Sequence, residues 1–290
     1  MTLDRTFTIP SKHPLTVGPN VPAVMGIVNL TPDSFSDGGQ LPTVAAAVAH
    51  ALGLERDGAA ILDLGAESSR PGAEAVSADE EMRRLLPVLE ELRPQTQVPI
   101  SVDTTKAEVA AAALERGADW INDITALRAD PELSRVAAEH GAPVVLMHMQ
   151  GLPATMQAAP SYDDVVAEVV DSLEERLGAA VAAGIPAEHV LVDPGIGFGK
   201  RLEHNTGLLL GLARLRRLGR PVVLGVSRKS FLGELLTGDR LEPPSAERDV
   251  ATVAAMAVGH AAGVCVHRVH NVRYARDALR TLTGIGRLEG

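Results

Sequence analysis

The chain has 290 residues, 46% of them hydrophobic, and its single cysteine, Cys265, excludes an intramolecular disulfide and a cysteine-rich metal site. The net charge of −10 argues against a nucleic acid or an anionic membrane as partner, although a local basic pocket for a small anion remains compatible with it. No apolar stretch approaches the roughly 18 residues of a membrane span, and no signal-peptide pattern is present, so we expect a cytoplasmic protein.

Eight apolar segments of strand length follow one another along the chain. They are continuous rather than alternating, which is typical of parallel strands covered on both faces. The segments span residues 23–30, 59–67, 98–104, 120–124, 143–148, 189–195, 221–227 and 264–270.

The stretches between these segments carry the start and stop signals of helices. Ser77 with Glu80, and Thr105 with Glu108, have the spacing of a capping box, and Asp130 precedes a proline at a first helical position. Glycines that suit a left-handed residue after a helix stand before the next apolar segment at Gly58, Gly117, Gly141, Gly184, Gly219 and Gly263.

This repeat of strand, polar loop, helix and glycine predicts a single (β/α)8 barrel, which needs about 250 residues. An open doubly wound parallel sheet is the alternative. Residues 1–21 stand outside the repeat and are assigned to a short N-terminal extension that would cover the bottom of the barrel, and residues 22–290 are assigned to the barrel domain.

Each apolar segment ends in polar or charged residues, and in a barrel these ends meet on the face that carries catalysis. The residues are Asn29, Asp63 with Glu67, Asp103, Asn122 with Asp123, His148, Asp193, Ser227 with Lys229, and Arg268 with His270. Any one of them would also suit a helix cap or a turn, but eight coincident polar ends favour a site. The longest polar loops, after the first and second segments, belong to the same face and resemble binding loops or lids.

Three of these residues indicate a flat heterocycle as ligand. Asp103, Asn122 and Asp193 end the third, fourth and sixth segments, where a buried carboxylate is costly unless a ligand supplies N–H donors.

The basic residues of the same face indicate a diphosphate. Arg70, Lys229, Arg268 and His270 can neutralise its charge, and the amide oxygen of Asn29 can bind Mg²⁺.

The glycine-rich segment DPGIGFGK, residues 193–200, is not a nucleotide-binding loop. Pro194 and Arg201 stand where that loop requires a glycine and a hydroxyl residue, so its glycines more plausibly bring backbone close to a ligand. For His148 and Phe198 we favour packing over a role in the site, whereas Phe35 lies in a loop without an apparent core to pack against.

The chain closely resembles the dihydropteroate synthases of the bacterial folate pathway over about residues 22–285. The motifs that carry the resemblance are MGIVNLTPDSFSDGG, LDLGAESSRPGA, SVDTTKAEV, INDI, LMHMQG, DPGIGFGK, GVSRKSFLG and RVHNV. The resemblance implies a (β/α)8 barrel that condenses 6-hydroxymethyl-7,8-dihydropterin diphosphate with 4-aminobenzoate, assisted by Mg²⁺. It also implies inhibition by sulfonamides and a homodimer.

The resemblance assigns a role to each matched position. It implies pterin binding by Asp103, Asn122, Asp193 and Lys229; diphosphate binding by Ser69, Arg70, Arg268 and His270; an aminobenzoate pocket of Phe35, Pro71, Ser227 and Lys229; and a metal ligand at Asn29. The chain departs from the family pattern with Asn271 for a usual aspartate, Ser69 for a common threonine, and Ala66 and Ala126 for frequent glycines. The loss of charge at Asn271 puts the strength of diphosphate binding in question.

Two other functions remain alternatives. A pterin-binding methyltransferase of the same superfamily would use Asp103, Asn122 and Asp193 but would not need the ESSRPG and SRK motifs. A non-catalytic paralogue would bind a pterin without turnover.

Overall fold

The computed structural model describes residues 5–31, 43–69, 73, 75–238 and 245–286. Eight parallel strands form one sheet in the order β8-β7-β6-β5-β4-β3-β10-β9. The strands are β3 (Ala23–Asn29), β4 (Ile61–Gly65), β5 (Ile100–Asp103), β6 (Trp120–Asp123), β7 (Val144–Met147), β8 (Val190–Asp193), β9 (Val223–Leu224) and β10 (Val266–Val269).

The sheet curls into a barrel, and its two edge strands meet where β8 approaches β9. There Val192 forms a parallel bridge with Val222, and the backbone N–H of Val192 donates to the carbonyl of Pro221 over 3.1 Å. All eight predicted strands are therefore confirmed, and the (β/α)8 barrel is confirmed over the open sheet.

Nine α-helices surround the barrel in the described part of the chain. They are α1 (Val44–Asp57), α2 (Ala78–Leu92), α3 (Ala107–Glu115), α4 (Glu132–His140), α5 (Val165–Ala182), α6 (Leu202–Gly211), α7 (Ser230–Thr237), α8 (Asp249–Ala262) and α9 (Val272–Gly286). Short 3-10 helices span Arg93–Gln95, Ala187–His189, Leu212–Leu218 and Ser245–Arg248. Within the described ranges, no helix has the length and apolar character needed to cross a membrane.

Most of the predicted helix signals have the expected geometry. All six glycines predicted after helices have positive φ, and the Ser77 side chain accepts from the backbone N–H of Glu80. The cap predicted from Thr105 and Glu108 is wrong, because α3 begins at Ala107 without a side-chain cap from its own segment. Instead, a carboxylate oxygen of Asp130 accepts from the N–H of Ala107 over 2.8 Å.

The N-terminal residues form an antiparallel hairpin of β1 (Phe7–Ile9) and β2 (Leu15–Val17). Ile9 and Val17 are buried in one apolar cluster with Trp120, Met25 and Leu191, which lie at the amino-terminal end of the barrel interior. The hairpin thus lies at the end opposite the polar strand ends. The domain boundary after residue 21 stays a prediction.

Candidate active site

Arg268, on β10, lies in a hydrogen-bonded network with side chains of β4, β5 and β6. Its Nε donates to an oxygen of Asp63 over 2.6 Å, and its Nη2 donates to an oxygen of Asp103 over 2.8 Å. The side-chain amide of Asn122 donates to the same oxygen of Asp63 over 3.3 Å. Parallel register places Asp103 beside Asn122 at the ends of β5 and β6. The structure therefore brings together Asp103, Asn122 and Arg268, which we call, with Asp63, the carboxylate–arginine cluster.

Burial sets the charges in the carboxylate–arginine cluster. Burial raises the pKa of Asp103 to about 7, with Arg268 opposing the rise and Asp63 adding to it. Burial lowers the pKa of Arg268, but Asp63 and Asp103 more than offset this and leave it above its ordinary value. Arg268 is therefore a fixed cation, whereas Asp103 can exchange a proton near neutral pH.

Asp193 lies across the barrel mouth, at the end of β8. It is 5% exposed, and one carboxylate oxygen accepts from the backbone N–H of Gly195 over 2.7 Å. Burial raises the pKa of Asp193 to about 6, while the Gly195 hydrogen bond and the charges of Lys229 and Arg268 oppose the rise. Asp193 is thus a largely ionised acceptor at neutral pH.

Lys229 lies at the start of α7, with its Nζ 3.9 Å from the centroid of the Phe198 ring. This separation suits a cation–π contact. Phe198 is buried with Ile124 and methionine side chains, as expected for packing, but it also supports a residue that we predict to bind substrate. The packing interpretation of Phe198 was therefore incomplete.

Ser227 and His270 contact each other directly. The Ser227 hydroxyl lies 2.9 Å from Nδ1 of His270 and also accepts from the backbone N–H of His270 over 3.1 Å. The resemblance placed these residues in different subsites, the aminobenzoate pocket and the diphosphate site. Their contact would make the two predicted subsites adjacent.

Asn271, the departure from the family pattern, contacts a neighbouring ion pair. Its amide donates to a carboxylate oxygen of Asp249 over 2.9 Å, and Asp249 also accepts two hydrogen bonds from Arg228, of 2.7 and 2.9 Å. An aspartate at position 271 would place a second carboxylate against Asp249. Asn271 thus supports the Asp249–Arg228 pair.

Asn29 and Ser69 complete the predicted residues that the structure describes. Asn29 ends β3 and is partly buried, next to Gly65 in register, and Ser69 is partly buried in the loop after β4. Among the described residues, no group of three or more histidine, cysteine or acidic side chains could hold a metal ion. Three other predicted residues, Phe35, Arg70 and Pro71, lie outside the described residues.

Sequence reasoning missed two contributors to the site. The sequence identifies Asp63 as a polar residue of the second segment but does not assign it to the site. In the structure it is fully buried and accepts hydrogen bonds from Arg268 and Asn122. Lys200 was noted only within a glycine-rich motif, yet it is almost fully buried behind Asp193. A charged residue inside an otherwise apolar or glycine-rich segment was the signal available for each.

Comparisons with known proteins identify the family of the chain. The model of the family described as pterin binding enzyme matches residues 25–270. The chain is 47% identical to the dihydropteroate synthase of Escherichia coli strain K12 over 261 residues, which is 90% of each protein. It is similar to the Xanthomonas albilineans dihydropteroate synthase solved with 4-aminobenzoic acid, at 48% identity and a TM-score of 0.89 over 97% of this chain and 99% of that one. A structure of the X. albilineans enzyme in complex with 7,8-dihydropteroate gives 46% identity and a TM-score of 0.84, over 96% and 99%.

Proposed function

Since the chain belongs to the pterin-binding enzyme family, we infer that it is a dihydropteroate synthase. It condenses 6-hydroxymethyl-7,8-dihydropterin diphosphate with 4-aminobenzoate and releases diphosphate and 7,8-dihydropteroate. The observation that carries this inference is the convergence of Asp103, Asn122, Asp193 and Arg268 on one barrel mouth. That convergence occurs in a chain that superposes on a synthase solved with the same product.

The pterin would lie against Asp193, Asn122 and Asp103. The amino group and ring N–H of a pterin are two donors on one edge, which match the two oxygens of one carboxylate. Asp193 suits this role, because it is buried and largely ionised. Asn122 and Lys229 would donate to the ring nitrogen and carbonyl oxygen. The cost of burying the carboxylates is then offset when the ligand binds.

The diphosphate would lie on the side of Arg268 and His270, with Ser69 and Arg70 contributing from the second loop. Among the described residues, Arg268 uses Nε and Nη2 to hold Asp63 and Asp103, and its Nη1 would donate to a phosphate oxygen. The guanidinium is thereby fixed in orientation before the substrate arrives. Such a fixed cation stabilises charge that develops in the transition state more than one that must reorient.

A magnesium ion would bind at Asn29, and the residues present fit it. Asn29 offers an amide oxygen there, a neutral ligand that suits an ion which keeps several waters and uses substrate phosphates as further ligands. When bound, Mg²⁺ would neutralise part of the charge on the departing diphosphate.

The reaction breaks the bond between the pterin methylene carbon and the diphosphate oxygen, and the electron pair leaves with diphosphate. The lone pair of the aminobenzoate nitrogen forms the new carbon–nitrogen bond, and that nitrogen then releases a proton. Aminobenzoate would lie in a pocket of Phe35, Pro71, Ser227 and the stem of Lys229. The chain therefore contributes positioning and charge stabilisation rather than a covalent intermediate.

The test is aminobenzoate-dependent release of diphosphate by the purified protein with Mg²⁺ and pterin diphosphate. Release together with formation of 7,8-dihydropteroate is expected. Pterin binding without release would favour the non-catalytic alternative, and transfer of a methyl group from a folate would favour the methyltransferase. Absence of pterin binding would overturn the proposed function.

We also propose that the protein acts as a homodimer through α6, α7 and α8. These neighbouring helices expose large apolar side chains: Leu210 at 81%, Leu235 at 53%, Leu236 at 51%, Val250 at 74% and Val258 at 41%. An apolar face shared by adjacent helices favours a second copy as its partner. Light scattering should give twice the chain mass for the wild type and the single chain mass for Val250→Glu. The control Leu152→Glu, at an exposed position in a loop outside these helices, should also give twice the chain mass. A dimeric Val250→Glu protein would contradict the proposal.

The cytoplasmic location stays a prediction.

A further inference from the structure

The side chain of Lys200 is 3% exposed and lies directly behind the pterin site. Its Nζ donates to Nδ1 of His148 over 2.9 Å, to the carbonyl of Gly195 over 2.9 Å and to the carbonyl of Phe198 over 3.0 Å. Burial, with the charges of Lys200 and Arg128, lowers the pKa of His148 to about 3, so its ring is neutral and can accept. All three hydrogens of the ammonium group therefore have acceptors.

The two carbonyls that Lys200 holds belong to the segment that builds the site. The peptide N–H of Gly195 donates to Asp193, and the ring of Phe198 lies 3.9 Å from Nζ of Lys229. A side-chain carbon at Gly197 would lie only 3.1 Å from the stem of Lys229. A shift of this segment would consequently displace both Asp193 and Lys229.

Other contacts to the segment come from uncharged side chains. The buried amide oxygen of Asn205 accepts from the backbone N–H of Gly197 over 2.7 Å. The exposed amide of Gln157 donates to the carbonyl of Gly197 over 2.6 Å, and Tyr162 donates to the carbonyl of Gly199 over 2.9 Å. Both donors are neutral. Lys200 is the buried, charged contact, and hydrogen bonds from a charged donor contribute more than those from a neutral one.

The charge of Lys200 also acts on the site. The titratable and charged groups around it are His148, Tyr162, Asp193, His204 and Lys229, from five different segments. Burial lowers the pKa of Lys200 to about 7; Asp193 opposes this and Lys229 adds to it. In turn, the positive charge of Lys200 is one of the influences that lower the pKa of Asp193.

We propose that Lys200 is a positioning residue of the pterin site. Its ammonium group fixes the carbonyls of Gly195 and Phe198, and so aligns Asp193 and Lys229 for the ligand, while its positive charge faces Asp193. This inference rests on the pterin site of the proposed function. Lys200 itself touches no substrate in this arrangement.

The test compares Lys200→Met, Lys200→Gln and Lys200→Arg with Lys12→Met, a matched change at an exposed lysine. Binding of 6-hydroxymethylpterin is measured by calorimetry from about pH 5 to about pH 8, together with circular dichroism and urea unfolding. At about pH 6.5, where Lys200 is mostly protonated and Asp193 mostly ionised, the two neutral variants should bind at least about tenfold more weakly than wild type, because a small misplacement of binding groups costs this much. The Lys12→Met protein should bind like wild type.

The pH profile of pterin binding distinguishes the positioning and charge effects of Lys200 from a general loss of structure. Below its pKa Asp193 becomes protonated and pterin affinity falls, and without Lys200 this fall should begin at a higher pH by about half a unit or more. Lys200→Arg keeps the charge, so its profile should stay with that of wild type. The result is taken from whichever neutral variant is folded. Binding within about twofold of wild type at about pH 6.5 with an unmoved profile would overturn the inference, whereas failure of wild type itself to bind pterin would overturn the proposed function instead.

Discussion

Replacing Asp193 by asparagine should make the ligand-free protein more stable and its pterin site much weaker. The amide keeps an oxygen that can accept from the N–H of Gly195, as the carboxylate does over 2.7 Å. It cannot ionise, however, so the folded state no longer has to hold a buried negative charge. The substitution therefore separates the free-energy cost of burying the carboxylate from its contribution to pterin binding.

The size of the effect follows from the pKa of Asp193. The rise from 3.8 to about 6 corresponds to ~3 kcal/mol in favour of the neutral form, at about 1.4 kcal/mol per pK unit. The folded-state pKa of Asp193 lies above the unfolded value. The contribution of the protonated side chain to the unfolding free energy is therefore complete below about pH 4 and is lost as the pH rises through about 6. We expect Asp193→Asn to gain ~1–3 kcal/mol of unfolding free energy at about pH 8 and little at about pH 4. Its pterin affinity should fall by ~2 kcal/mol or more, about 30-fold.

Urea unfolding at these two pH values measures the stability, and calorimetry with 6-hydroxymethylpterin measures the affinity. Asp163→Asn, at an exposed aspartate, is the control and should change neither quantity. An Asp193→Asn protein that is less stable than wild type at about pH 8 would refute the reasoning. So would a stability difference that does not grow between about pH 4 and about pH 8.

Three further substitutions test other parts of the site. Lys229→Met keeps the hydrocarbon stem but removes the ammonium group, and should weaken pterin binding by ~2 kcal/mol in calorimetry; an unchanged affinity would exclude Lys229 from the pterin site. Ala126→Gly relieves a left-handed residue with φ of 53° and should raise the unfolding free energy by ~1 kcal/mol with unchanged kcat. Asn271→Asp places a carboxylate against Asp249 and should cost ~1 kcal/mol near neutral pH, with recovery on acidification; a lower KM for pterin diphosphate without that cost would show that Asn271 acts on the diphosphate instead.

The fold was predictable because its signals are local and repeated. Eight apolar segments and six glycines with positive φ recur in a fixed order, and each can be recognised from a few neighbouring residues. The failed cap at Thr105 marks the limit of such reasoning, since the group that completes the first turn of α3 is Asp130, which precedes the next helix. Nothing near Thr105 in sequence could have indicated this contact.

The candidate site was predictable as a set of residues but not as a set of contacts. Strand ends placed Asp103, Asn122 and Asp193 on one face, because parallel strands share their direction. The pairing of Arg268 with Asp63 depends on the curvature of the whole barrel, and these residues are 205 positions apart. The burial that raises the pKa of Asp103 likewise arises from residues of several strands.

The closure between β8 and β9 has a consequence for how the enzyme responds to heat. β9 has two residues, and Val222, directly before it, forms the bridge to Val192 of β8, which directly precedes Asp193. Thermal opening of this seam would loosen the pterin-binding carboxylate while the seven other strand pairings persist. Substrate bound across the seam would hold its two sides together, so heat would open the barrel and inactivate the site in one step.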